Sequence, residues 1–174
     1  FRANGVEDVL GIDGSWVPRH RLQIPNEQFL PHDLCYPLHL GRRFDLAVSL
    51  ETAEHLAPEC ATTLVASLVG LAPAVLFSAA VPGQGGTDHR NLQWPRYWSE
   101  LFADHDFVTI DAVRPLLCRR SEVAHWYVQN TFLFVDRRHA ARDEILRSLH
   151  AAHGGPPFPW IHQDYWDGPA DSFA

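Results

Sequence analysis

Glu51, Glu54, His55 and His89 are the side chains of this sequence whose types and spacing could do chemistry together. Two carboxylates and two imidazoles suit a divalent ion that binds and acidifies a hydroxyl group. Either imidazole alone suits general-base work on the same kind of group. Glu51 and His55 are four residues apart and Glu54 lies between them, so a helical turn beginning at Glu51 would set all three on one face. His89 joins them only if its own loop folds back to the same place. The plainer reading makes His55 a cap or wall and His89 an ordinary loop histidine.

The elements that must position these residues follow from the apolar pattern. Residues 44–50 (FDLAVSL) form an apolar run broken by Asp45 and Ser49, the pattern of a parallel strand buried on both faces. Ligands of open α/β sheets bind beyond the carboxyl ends of such strands, and Glu51, Glu54 and His55 fall there. Residues 74–81 (AVLFSAAV) give a second buried strand, and a glycine-rich loop at 82–87 leads on to His89. Between them, Ala61, Leu64, Val65, Leu68, Val69 and Ala72 have helical spacing, closed by Gly70 and Pro73. Upstream, a strand over 8–12 ends on Asp13 and turns through Gly14 and Ser15, and a short strand within 27–34 ends near Asp33. Downstream, the pattern predicts a helix over 95–103, strands over 107–117 and 131–135, and a helix over 139–152 with Ile145, Leu146 and Leu149 on one face. Residues 1–155 then form one domain. Residues 156–174 form an aromatic-rich tail that carries Phe158, Trp160, Tyr165, Trp166 and Phe173, expected to pack on the same domain.

Composition narrows the function classes. Fourteen basic residues, all arginine, against 21 acidic ones give a net charge of -7, which disfavours a dedicated nucleic-acid surface. The uncharged stretch 60–87 is split by Gly70 and Pro73 into pieces shorter than the ~20 apolar residues of a membrane span. Cys35, Cys60 and Cys118 lack any CxxC pattern, so neither a disulfide framework nor a structural zinc site is expected, and a reducing, cytoplasmic setting is.

The stretches LGIDGSWV, FLPHDL, FDLAVSLETAEHL and AVLFSAAVPGQGGTDHRNLQWPRYWSELF together resemble class I S-adenosylmethionine-dependent methyltransferases. The E-x-x-E-H-L that follows an apolar strand is the most specific part. The resemblance implies an α/β, Rossmann-like fold: a mostly parallel twisted sheet with helices on both faces and one antiparallel strand, for which 131–135 is the candidate. It implies S-adenosylmethionine as cofactor, with Asp13 and Gly14 at its ribose, Asp33 and Leu34 at its adenine, and Ser49, Leu50 and Glu51 along its methionine moiety. His55 and His89 become the candidate catalytic bases. The E-x-x-E-H spacing with a later histidine is also similar to metal-dependent 2'-O-methyltransferases of small RNAs and, in part, to ubiquinone-pathway O-methyltransferases. In that version Glu51, Glu54, His55 and His89 hold a divalent metal.

The sequence departs from this family in one respect, since the first strand and its G-x-G-x-G loop are absent. The expected sheet therefore has a gap between the strand ending at Asp13 and the strand ending at Leu50. The expected partner is a small-molecule acceptor, methylated on oxygen. A catalytically silent Rossmann-like binding module and an NAD-dependent oxidoreductase, in which Asp13 would serve equally well, are the alternatives.

Overall fold

The structure, a computed structural model, describes residues 1–162; Tyr165, Trp166 and Phe173 lie outside the described residues. It is a mixed α/β arrangement with two sheets. β1 (Gly11–Asp13) and β2 (Phe29–Pro31) form a two-stranded parallel pair. β3 (Ala47–Leu50), β4 (Ala74–Ser78), β5 (Phe107–Ile110) and β6 (Phe132–Asp136) form a four-stranded sheet in the order β3-β4-β6-β5. β3 and β4 are parallel, while β6 is antiparallel to both β4 and β5. Three strands thus run one way, and the reversed strand is inserted second from the edge.

The side-chain alternation of β6 sorts the core into two layers. Phe132 and Phe134 join Val75, Phe77 and Phe107 on one face, against α1 (Ala61–Leu71) and α2 (Pro95–Ala103), which contribute Leu64, Val65, Trp98 and Phe102. Phe102 stacks on Phe134 with centroids 3.9 Å apart, and Phe77 meets Trp98 at 5.0 Å. Leu133 and Val135 point the other way with Val108 and Ile110, toward Ala140 of α5 (Arg137–Arg142) and Leu146 and Leu149 of α6 (Glu144–His153). That second layer does not reach β3. Val48 and Leu46 are each 39% exposed, so the expected burial of this strand on both faces holds on one face only.

Several elements differ from the sequence reading for local reasons. The six strands do not share one sheet: β1 and β3 have no pairing with each other. The strand expected over 107–117 stops at Ile110. Arg114 there turns inward, only 1% exposed, and forms a bidentate pair with Asp111 that favours the short α3 (Arg114–Leu117) instead. The segment between it and β6 contains α4 (His125–Asn130). The helix expected over 139–152 is two helices, because Asp136 and Asp143 each cap a new start, accepting from the N–H groups of His139 and Leu146. Ile145 consequently faces solvent.

The tail begins on the domain surface. The Arg114 guanidinium donates to the carbonyls of Gln129 and Phe158 and lies 4.2 Å above the Phe132 ring. No helix among the described residues is long and apolar enough to cross a membrane.

Cys35 and Cys60 are joined in a disulfide, contrary to the sequence expectation, and Cys118 is free and exposed. Cys35 follows β2 and Cys60 precedes α1, so the bond ties the two-stranded pair to the four-stranded sheet. Spacing of 25 residues carries no pairing signal in sequence; the fold brings the two together. Cross-linking a loop of that length restricts the unfolded chain by about 3–4 kcal/mol in the chain-entropy view. Cys60→Ala is expected to lower stability by about 2–4 kcal/mol in urea denaturation, and reductant should lower the parent protein to the same level while leaving the variant unchanged.

Candidate functional site

The site is built where the chain leaves β3 and β4. After Leu50 the backbone turns sharply at Glu51, whose φ of 48° is uncommon for a residue with a side chain. The turn is held from β4: the Glu51 N–H donates to the Ser78 carbonyl and approaches its hydroxyl, each at 3.0 Å. A single 3-10 turn, Ala53–His55, then presents Glu54 inward and His55 outward. The loop after β4 returns to this turn, because the Glu54 carbonyl accepts from the N–H groups of Arg90 at 2.7 Å and Asn91 at 3.0 Å. His89 is thereby set against His55, with ring centroids 4.9 Å apart in an edge-to-face arrangement.

Glu54, His55 and His89 form one group, with a ligand-capable atom of each within 4.8 Å of the others. Glu51 is not part of it. Its φ takes it out of the turn that carries Glu54 and His55, so the helical face expected to be shared by Glu51, Glu54 and His55 does not form. Its carboxylate instead accepts from the Gln84 amide at 3.0 Å and the Asn130 amide at 3.3 Å. These two amides are linked to each other, and the network continues outward. Asn130 donates to Gln84 Oε1, Gln129 donates to Asn130 Oδ1, and Gln129 Oε1 accepts from the N–H of His162 in the tail.

The electrostatics of the group are dominated by Glu54. Its residue is 1% exposed and neither carboxylate oxygen has a hydrogen-bond partner. Burial raises its pKa from the ordinary 4.5 to about 7; the nearby backbone groups of Glu54 and Ala80 pull the other way without forming a hydrogen bond of normal geometry, and the nearby charge of Glu51 raises it further. His89 is oriented by Gln84: its Nδ1 lies 3.3 Å from the Gln84 carbonyl. A carbonyl can only accept, so Nδ1 carries the proton and Nε2 of the neutral ring keeps a lone pair. Gly86 leaves room for that ring, since a Cβ there would collide with it.

The residues assigned to a cofactor by resemblance lie at or just beyond the ends of β1, β2 and β3. Asp13 ends β1, is exposed, and accepts from the N–H of Gly14; Gly14 is buried under the Trp16 indole. Asp33 accepts from the N–H of Cys35 in a turn, and Leu34 packs against the main core. Ser49 is buried with its hydroxyl unpartnered, and Leu50 accepts from the Thr52 hydroxyl. Ile12, Leu34 and Ser49 do line one cavity of about 590 Å³ between β1 and β3.

Sequence reasoning passed over Gln84, Gln129 and Asn130. Their amides carry no spacing signal, and only the turn of the chain after β4 and the end of α4 bring them to Glu51. No known protein-family model matches the chain, and no curated protein matches it in sequence.

The raised pKa of Glu54 fixes the sign of one pH effect. Between the unfolded value near 4.5 and the folded value of about 7 the native state holds a proton that the unfolded chain has released, so this group lowers stability as pH rises through that window. Glu54→Gln, which stays neutral, is expected to be more stable than the parent at pH 8 by about 1–3 kcal/mol. At pH 4 the two should be nearly equal, as urea denaturation in metal-free buffer at both pH values will measure.

Proposed function

We propose that this chain belongs to an enzyme that transfers a methyl group from S-adenosylmethionine to a hydroxyl of a small molecule. The observation that carries the reading is the strand order. A reversed β6 sits between β4 and β5, β1 and β2 stand beyond a gap next to β3, and the E-x-x-E-H segment follows β3. This order is compatible with the Rossmann-like arrangement that the sequence resemblance implies, and Asp13 and Ser49 lie in the strands that flank the gap.

In this reading S-adenosylmethionine supplies an electrophilic methyl, and the protein contributes positioning and proton removal. When bound, the cofactor would give its methyl to the acceptor oxygen and leave as a neutral thioether, while the chain's own groups would hold the acceptor in place. The hydroxyl proton passes to an imidazole. His89 Nε2 is the better-prepared base, because its other nitrogen is committed to the Gln84 carbonyl. The edge-on His55 ring is the neighbouring wall. The Glu51 carboxylate, held by the Gln84 and Asn130 amides, would face the methionine end of the cofactor.

Titrating S-adenosylmethionine into the protein by calorimetry tests the reading. Asp13→Ala is expected to weaken binding by roughly 1.5–3 kcal/mol, the range for hydrogen bonds to a charged group. Equal affinity in parent and variant would remove the ribose assignment, and tight binding of NAD in place of S-adenosylmethionine would favour the oxidoreductase.

A second reading is favoured by the Glu54, His55 and His89 group itself. Two imidazoles and an unpartnered buried carboxylate fit a divalent transition ion in donor type. Such an ion would supply Lewis acidity to the acceptor hydroxyl. Zinc or manganese titrated into the metal-free protein should then bind, with affinity falling at least tenfold in Glu54→Gln. Methyl transfer that survives exhaustive chelation would leave His89 as the base and Glu54 as a buried acid.

A further inference from the structure

We propose that the Cys35–Cys60 disulfide is a redox-responsive clamp, opened and closed by thiol–disulfide exchange with a dithiol, that fastens the turn after β2 to the segment leading out of the Glu54–His55 turn. Opening and closing stand on the bond and its surroundings; the effect on cofactor binding rests on the methyl-transfer reading. Both cysteines are half-buried rather than enclosed, so an outside thiolate reaches the sulfurs. Accessible disulfides belong to the labile, regulatory kind.

The two sulfurs are not equivalent. Cys60 is the N-cap of α1, an 11-residue helix with no side-chain cap bond and no acidic residue in its first turn. Negative charge on sulfur is favoured at such a terminus. Glu59 beside it is exposed, where solvent and salt screen its charge. Cys35 sits instead in a turn beyond β2, its N–H donating to the Asp33 carboxylate at 3.0 Å, so a negative charge already stands next to it. Cys60 is therefore the better leaving group. The outside thiolate attacks Cys35 Sγ, the sulfur–sulfur bond breaks, and Cys60 departs as a thiolate. The second thiol of the reductant, deprotonated, then attacks its own sulfur in the mixed disulfide. Cys35 leaves and takes up a proton, the reductant becomes a disulfide, and two electrons have passed to the chain. An outside disulfide runs the same steps backwards.

The clamp joins two segments that matter to the site. Residues 32–36 bond within their own turn and to β1: the Tyr36 N–H donates to the Asp33 carbonyl, and the His32 N–H to that of Asp13. The disulfide adds a covalent tie from this turn to the start of α1. Four residues separate His55 from Cys60, and Leu56 among them packs on the same core as Leu34. Opening the bond thus loosens the turn that carries Asp33 and the far end of the site turn together. The Leu38 N–H still donates to the Ser67 hydroxyl of α1, which keeps the two thiols neighbours and lets the bond form again.

The test uses the intact 174-residue chain with and without dithiothreitol, its thiols counted by alkylation and mass spectrometry. The bond is expected to open in the folded protein, with the near-UV circular dichroism of the aromatic core unchanged. Amide exchange within residues 32–38 and 55–60 should quicken at least tenfold while 74–78 and 132–136 keep their rates, and oxidised glutathione should restore the closed pattern. In the reduced protein at slightly acidic pH, iodoacetamide should modify Cys60 at least tenfold faster than Cys118, the free exposed thiol of the same chain. Affinity for S-adenosylmethionine should fall at least tenfold on opening, and in Cys60→Ala it should not respond to the dithiol. If the closed protein does not bind S-adenosylmethionine, the methyl-transfer reading fails, and the exchange and alkylation results decide the clamp by themselves. A bond that opens only on unfolding, amide exchange unchanged by opening, Cys60 reacting no faster than Cys118, or equal cofactor affinity in the open and closed forms would each overturn the proposal.

Discussion

A single backbone acceptor organises this molecule: the Glu54 carbonyl, which receives the N–H groups of both Arg90 and Asn91. It locks the turn after β3 to the loop after β4, two segments that are otherwise separate excursions from neighbouring parallel strands. Because the lock is main chain to main chain, side-chain substitution within the loop leaves it in place. Everything chemical in the site depends on it. His89 meets His55 through it, and Gln84 can reach Glu51 only because the loop returns. The cost is a glutamate side chain driven into the interior without a partner, with its proton affinity raised accordingly.

The sequence made some of this legible and concealed the rest, for physical reasons. Doubly buried strands such as β4 write continuous apolar runs, and α1 writes its 3.6-residue period, so both were readable. β6 was locatable from its short apolar run, while its reversed direction came from family resemblance and not from pattern. What failed were places where a short-range polar contact overrides the pattern. Asp111 with Arg114 ended β5 early, and Asp143 cut one expected helix into two. The grouping of Glu54, His55 and His89 could be anticipated because adjacent parallel strands open their loops at one sheet edge. The exclusion of Glu51 could not, since a left-handed residue in a polar turn leaves no mark in spacing. The Cys35–Cys60 bond was equally hidden, being a product of how two sheets sit together.

The two sheets also divide the labour of stability. The four-stranded sheet carries both apolar layers, with its aromatic stack on one side and its smaller aliphatic cluster on the other. The β1–β2 pair contributes three residues per strand, too little to persist unaided in water. It is kept in place by the disulfide, by Leu34 and Leu38 packing and bonding toward α1, and by surface arginines. Loosening those ties would release this pair before the larger sheet unfolds.

Gln129 has a property that follows from its two contacts at once. Its oxygen faces the His162 N–H of the tail, and its amino group faces the Asn130 oxygen beside Glu51. Rotating the amide by half a turn would set donor against donor at one end and acceptor against acceptor at the other. The side chain therefore has a polarity, like an arrow, that both neighbours must agree on. The direction in which the tail's backbone presents its hydrogen and the direction in which Asn130 presents its amide to the site are two ends of the same arrow, and neither can be reversed alone.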